Sequence, residues 1–331
     1  MRMPALCCLL TILALVGCAD SVQRVGTRQP VEPIDRRLAI TFDDLPWVML
    51  RDAPPADLAS NHARLLAALE QAHVPLIGFV NEGLLYQDDA LQPERVQMLR
   101  DWLDAGFELG NHTRWHSDLH AVGVDAYEAD ILAGEQLLRP LLAAGGSSPR
   151  WFRHPYLRTG RTLQDKRAVQ EFLSAHGYRI APVTINSSEW IFAAAYRKLL
   201  DRGAGAGEPA RLREAYLGYM QAKLRYYEHR SIDLLGYDVP QILLIHANEL
   251  NASVFGDLVA MIRKQGYRFV SLDEAMKDPA YARPDLYTIE LGTSWIHRWA
   301  KAEHKPDTFY FGEPETPSWL IDLAGVGANA E

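Results

Sequence analysis

Short apolar runs alternate along most of this chain with stretches of helical spacing. Residues 37–42 (RLAITF) read as a buried strand that stops at two carboxylates. Residues 61–72 set Leu65, Leu66 and Leu69 on one helical face. A second strand follows at 75–80. Residues 93–105 read as a helix, with Pro93 suited to its first turn and Gly106 to its stop. The third strand, 107–111, is short and runs straight into histidines. Residues 125–143 read as one helix closed by Gly145-Gly146. Trp151 opens a fourth strand, 168–176 is helical, and 178–185 is a fifth strand. The sixth, 241–245, is apolar from Ile242 onward. A helix at 255–265 and a strand at 267–270 complete the series.

Strand and helix in alternation predict a parallel sheet with right-handed crossovers. Seven such strands suit an α/β barrel better than an open sheet. Asp43, Asp44, His112, Arg153 and His246 all fall at or just past the C-terminal ends of strands. In α/β barrels that rim is where chemistry is assembled. Two segments break the alternation. Residues 191–235 are helical and rich in Tyr, Leu and Arg. The run Gly203 to Gly207 divides them into two helices, read as an insertion beside the barrel. From about Ala282 the chain carries Trp295, Trp299, Tyr310, Phe311 and Trp319 without clear periodicity. This C-terminal extension, 282–331, is a wrap over barrel surface or part of a substrate groove, and packing is the preferred reading.

The 331 residues are 48% hydrophobic and 23% charged, the balance of a soluble globular protein. A net charge of -8 argues against nucleic acid as the main partner. The amino terminus is different in kind. Arg2 precedes an almost wholly apolar stretch, Ala5 to Val16, too short for a hydrocarbon core of about 30 Å. It fits the core of a secretory signal. Leu15-Val16-Gly17-Cys18 resembles the lipobox of bacterial lipoproteins, which implies cleavage after residue 17 and a lipid on Cys18. An ordinary signal peptide or an uncleaved anchor is the alternative. Ala19 in place of Asp implies, by the same resemblance, an outer-membrane lipoprotein facing the periplasm, tethered through its lipid. The cysteines, Cys7, Cys8 and Cys18, all lie in this segment, so the mature chain has no disulfide framework and no cysteine metal ligand. The polar stretch 18–35 reads as a linker and 36–281 as the catalytic domain. Mass spectrometry of the mature amino terminus tests this, and a free terminus at any residue other than Cys18 would overturn it.

Adjacent carboxylates at a strand end repel, so Asp43-Asp44 is either a solvated turn or a pair with divided work, one on a metal and one facing substrate. His112 and His116 are four residues apart; on a helical turn they share a face and can grip one ion, with His120 extending the stripe. Asp44 can supply a third ligand. Two imidazoles and one carboxylate leave coordination sites open, as a catalytic zinc requires. Arg153 can hold a carboxylate bidentately, or make only a surface salt bridge. His246, ending an apolar run, is placed for proton transfer, or is a satisfied core histidine.

Together, Thr41-Phe42-Asp43-Asp44, His112-Thr113-x-x-His116, Arg153-x-Pro155-Tyr156 and Leu244-x-His246 resemble the ordered motifs of the polysaccharide deacetylase family, also called carbohydrate esterase family 4. The resemblance spans about Leu38 to Glu274. It implies a distorted seven-stranded (β/α) barrel, a metal triad of Asp44, His112 and His116 that usually holds zinc, Asp43 as base and His246 as acid. It further implies that Tyr156 offers its backbone N–H to an oxyanion and that Arg153 orients the base. Where the family has Asp before Trp, this chain has Ser188-Glu189-Trp190; Glu189, one methylene longer, would tune His246, with Asn186 able to share the role. Leu45-Pro46 departs from the Gly many members carry after the aspartates, which alters the loop beside the metal.

The expected reaction is hydrolysis of acetyl groups from a polysaccharide or amino-sugar polymer such as peptidoglycan, with N-deacetylation preferred. O-acetyl esterase activity at the same site is the nearest alternative. A carbohydrate-binding lipoprotein without catalysis is a third, disfavoured because binding alone needs neither base nor acid.

Overall fold

The computed structural model describes residues 35–48, 50 and 57–327. Its elements in chain order begin with β1 (Arg37–Leu45), α1 (Leu58–Ala72), β2 (Leu76–Val80), a small hairpin of β3 (Tyr86–Gln87) and β4 (Ala90–Leu91), α2 (Pro93–Asp104) and β5 (Glu108–Asn111). Then follow α3 (Leu119–Val122), α4 (Val124–Ala133), α5 (Leu138–Ala144), β6 (Trp151–Phe152), α6 (Leu163–Ala175) and β7 (Arg179–Ile180). The rest comprises α7 (Glu189–Asp201), α8 (Gly207–Leu235), β8 (Gln241–His246), α9 (Glu249–Lys264), β9 (Arg268–Phe269), α10 (Leu272–Ala275), α11 (Trp295–Ala302) and α12 (Ser318–Ala324).

The main sheet runs β7-β6-β5-β2-β1-β8, with β9 added to the start of β1, and its pairings are all parallel. Seven strands are therefore present in the predicted α/β arrangement. Curling is completed by the chain leaving β7. Ala181 N–H still donates to Phe152 O of β6 at 2.8 Å, whereas Ile185 N–H donates to Ile242 O of β8 at 3.0 Å. The expected fifth strand, 178–185, is thus a two-residue strand followed by a segment that changes partner and joins the two edges. The face of the sheet that packs against the helices carries Leu38, Ile40, Phe42, Val80, Leu243 and Ile245, all buried. Ala39, Ile77, Phe79, Trp151, Ala181 and Ile242 form a second buried cluster on the opposite face. Leu65 and Leu69 of α1 are also fully buried, each worth about 1.5–3 kcal/mol relative to exposure.

The stretch 125–143 is two helices, not one. Pro140 has no N–H and clashes with the preceding turn, so it is tolerated only near a helix start, where α5 has it. Glu82, fully buried, caps that start by accepting from the N–H groups of Leu137 and Leu138 at 2.9 and 3.2 Å. At the end of α4, a Cβ on Gly134 would lie 2.5 Å from the Thr113 backbone, so only glycine lets the helix abut the histidine loop.

The insertion is the expected pair, α7 and α8, and α8 closes on the left-handed Gly236 (φ 84°). The tail is more ordered than its sequence pattern, with α11 and α12 formed and α12 packed on α7. Trp295 N–H donates to Val183 O at 2.8 Å and the Ser294 hydroxyl to Thr184 O at 2.6 Å, which ties the tail to the segment that closes the sheet. The signal peptide, Cys18 and nearly all of the linker lie outside the described residues. Among those described, no helix is long and apolar enough to cross a membrane.

Candidate active site

Regular strands point successive side chains to opposite faces, so Asp43 and Asp44 could not both face one site from an unbroken β1. The strand does not stop at them, as the sequence suggested, but continues to Leu45 through a bulge. Phe42 pairs with Gly78 and Leu45 with Val80, three steps on β1 against two on β2. The extra residue falls at the carboxylates, and Asp44 takes a left-handed φ of 58°. Both carboxylates then reach His112 Nε2 at 3.9 Å.

His112 and His116 do not lie on a helix. Residues 112–118 form a loop, with left-handed Thr113 (φ 64°) and His116 (φ 54°). Asp130 fixes it from α4 by accepting the N–H groups of Arg114, Trp115 and Ser117 at 3.2, 3.0 and 3.3 Å. Asn111 Oδ1 accepts Thr113 N–H at 2.7 Å, and Thr113 Oγ1 accepts His116 N–H at 3.0 Å. The histidines converge because the loop curls, not because four residues make a helical turn. His120 points away and accepts Gly160 N–H through Nε2 at 3.2 Å, so it does not extend the pair.

Asp44, His112 and His116 each offer one ligand atom, all within 4.8 Å of one another. Asp44 Oδ1 lies 3.6 Å from His116 Nε2 and 3.9 Å from His112 Nε2. Donors about 2.0–2.1 Å from one zinc at tetrahedral angles stand roughly 3.4 Å apart, so these residues fit a divalent ion with small adjustments. His112 Nδ1 contacts Arg153 O at 2.8 Å, which turns Nε2 inward as metal-binding imidazoles require. Burial lowers the His112 pKa and keeps that ring neutral. Burial would raise Asp44, but the imidazoles of His116, His112 and His246 and the Asn81 amide bring it down to about 2.

Arg153 makes no surface salt bridge. It is fully buried, donating from Nη1 to Asp43 Oδ1 and Oδ2 at 3.1 and 3.2 Å, from Nη2 to Thr41 Oγ1 at 3.0 Å and from Nε to Ala181 O at 2.9 Å. One of the two oxygens used, Asp43 Oδ2, is also the atom nearest His112. His246 stands opposite Asp43 in the β1–β8 register. Its Nδ1 meets Glu189 Oε2 at 2.7 Å, and the other Glu189 oxygen accepts from Asn248 at 2.6 Å and Asn251 at 2.8 Å. The extra methylene of Glu189 is accommodated at the start of α7. Burial pulls the His246 pKa down, but the Glu189 hydrogen bond and charge outweigh it and, with Asp44 and Asp43, raise it to about 9. Tyr156 sits with its ring edge-on to His116, centroids 4.5 Å apart. Its ring and those of Trp115 and Trp190 remain exposed.

Sequence reasoning passed over Asn248, Asn251, Asp130, Asn111 and Asn81, whose amide approaches Asp44 Oδ1 at 3.5 Å. Asn248 alone left a signal: it is the N-cap of α9, accepting Asn251 N–H at 2.9 Å.

The profile of the family described as polysaccharide deacetylase matches residues 31–180. Solved structures similar to this chain include a family 4 carbohydrate esterase from Streptomyces lividans in complex with acetate. Its identity is 17%, with 73% of this chain and 97% of that one covered and a TM-score of 0.45. A family 4 acetyl xylan esterase from Clostridium thermocellum with a cobalt ion is 18% identical over 75% and 97%, with a TM-score of 0.46. A pseudoenzyme of the same family from Bacillus anthracis is 14% identical over 73% and 66%, with a TM-score of 0.47. No curated protein sequence is matched.

Proposed function

We propose that this chain, whose residues 31–180 match the polysaccharide deacetylase family, is a catalytically competent, divalent-metal-dependent deacetylase of an acetylated glycan. The observation that carries this reading is the convergence on one rim of three candidate metal donors, a buried Arg153–Asp43 pair and a part-buried His246 held by the fully buried Glu189. Burying charge is costly, and a surface that only bound carbohydrate would need neither pair.

Zinc is the first expectation for an oxygen and two imidazole nitrogens with open positions. A bound ion would supply a Lewis acid for the acetyl carbonyl and bring a water toward neutral pKa. The protein's own groups do the rest. Asp43 takes the water proton, its two oxygens aimed by Arg153. The Tyr156 N–H donates to the oxyanion that develops on the carbonyl. His246, holding a proton at neutral pH, delivers it to the departing atom. An amine cannot leave unprotonated, which favours N-acetyl substrates, and ester cleavage at the same site is the second reading. The amino-terminal signal adds export and attachment through Cys18 to this proposal.

Acetate release from N-acetylglucosamine oligomers, peptidoglycan and acetylated xylan, with and without chelator, tests it. Metal-dependent release from the amino-sugar polymers is expected. Release from xylan alone would favour the esterase reading, and none from any glycan would overturn catalysis.

The role of Glu189 predicts a pH effect. His246 acts while protonated, so activity is lost as pH rises through its pKa. Glu189→Gln removes the charge that raises that pKa, so the alkaline limb of the kcat profile should move to lower pH by about one unit or more. An unmoved limb would assign it to another group.

A further inference from the structure

Tyr156 and Leu157 both hold left-handed backbones, φ 56° and 53°. Two such residues in succession are strained for side chains with a Cβ and persist only where their surroundings hold them. Here much of the hold comes from the C-terminal extension. A Cβ built on Gly292 would lie 1.8 Å from the Tyr156 carbonyl oxygen, so the backbone at Gly292 rests directly on the Tyr156 peptide. Arg298 of α11 is buried, and its Nη2 donates to the Leu157 carbonyl. Its Nη1 donates to Thr159 Oγ1 at 2.9 Å and to Asp285 Oδ2 at 3.0 Å. Asp285 also accepts from Thr159 at 3.0 Å and from Lys166 of α6 at 2.6 Å. Lys166 reaches the tail again at Tyr287 O, 2.7 Å away. Segment 157–160 is thus clasped between α6 and residues 285–298.

We propose that residues 285–298 are a positioning element of the active site, with Gly292 and Arg298 fixing the Tyr156 peptide so that its N–H faces the reacting carbonyl. This rests on the reading of Tyr156 as an oxyanion donor. The contacts these two residues make with segment 156–160 fall on the Tyr156 and Leu157 peptides and the Thr159 hydroxyl, not on the metal donors or the base. A fault in the clasp should therefore reach the oxyanion without reaching the metal.

The test compares Gly292→Ala, Arg298→Gln and Arg298→Lys with the wild type, and uses Arg283→Ala, an exposed tail residue paired with Glu303, as control. kcat and KM are measured on whichever glycan the wild type hydrolyses, with zinc affinity and Tm alongside. Gly292→Ala and Arg298→Gln should lower kcat by tenfold or more, approaching the roughly 10²–10³ lost with a whole oxyanion donor. KM and zinc affinity should stay within about twofold. Arg298→Lys should recover part of the loss, and the control should match the wild type. Unchanged kcat in folded Gly292→Ala, or a kcat loss matched by weaker zinc binding, would overturn the inference while leaving the wild-type activity intact. A wild type that binds zinc but releases no acetate from any glycan would instead overturn the deacetylase reading, and the inference with it.

Discussion

Asp43→Asn is expected to retain zinc and lose about 10²–10⁴ in kcat, the usual worth of a general base, whereas Asp44→Asn is expected to lose zinc itself. The two carboxylates are neighbours in sequence, but their partners differ. Asp43 is buried and carries the Arg153 guanidinium on both oxygens, while Asp44 faces His112, His116 and the Asn81 amide. An amide at 43 keeps the shape but leaves Arg153 without its counter-charge. The variant should therefore also be less stable, by up to about 3–5 kcal/mol, the cost of breaking a buried pair. Kinetics well below its Tm separate that loss from the chemical one. A neutral amide at 44 is a poor ligand for a dication, so excess zinc should restore part of the Asp44→Asn activity and none of the Asp43→Asn activity. The reverse pattern would exchange the roles. Equal zinc loss in both would make Asp43 a ligand too, a real test because each carboxylate comes within 3.9 Å of His112 Nε2.

His112→Ala should abolish both zinc content and acetate release. His112 is buried and is aimed at Asp44 by its contact with the Arg153 carbonyl. Alanine leaves His116 and Asp44 as a two-donor site open to water. Affinity should fall by more than the roughly 10–100-fold typical of losing a mere supporting residue. Metal analysis of the purified variant decides the point, since unchanged stoichiometry would place the ion elsewhere. The readout does not depend on which glycan is the substrate.

The alternation of apolar runs and helical stretches is local information. It was enough for the order of β1, β2, β5, β6 and β8 and for the split of the insertion into α7 and α8, but not for the break of 125–143 into α4 and α5. The chemistry-bearing residues were legible too, because a strand end places Asp43, His112, Arg153 and His246 at one rim whatever the details of packing. The depth of Arg153 in the fold was not legible, since a guanidinium is buried only when carboxylate, hydroxyl and carbonyl partners from β1 and the β7 exit converge on it.

Other features came only from contacts distant in sequence. The bulge that turns Asp43 and Asp44 to one side is set by the β1–β2 register, and a run of apolar residues carries no sign of register. Spacing suggested a helical turn for His112 and His116, but Asp130, fourteen residues beyond His116, bends that segment into a loop by taking three N–H groups. Glu189 reaches His246 across 57 residues, and the tail that looked aperiodic clasps Tyr156 from the far end of the chain. Periodicity reports which face of one element is buried. It does not report which other element buries it, so the sequence by itself determined the framework and the reactive side chains, while the tertiary structure decided how they are aimed.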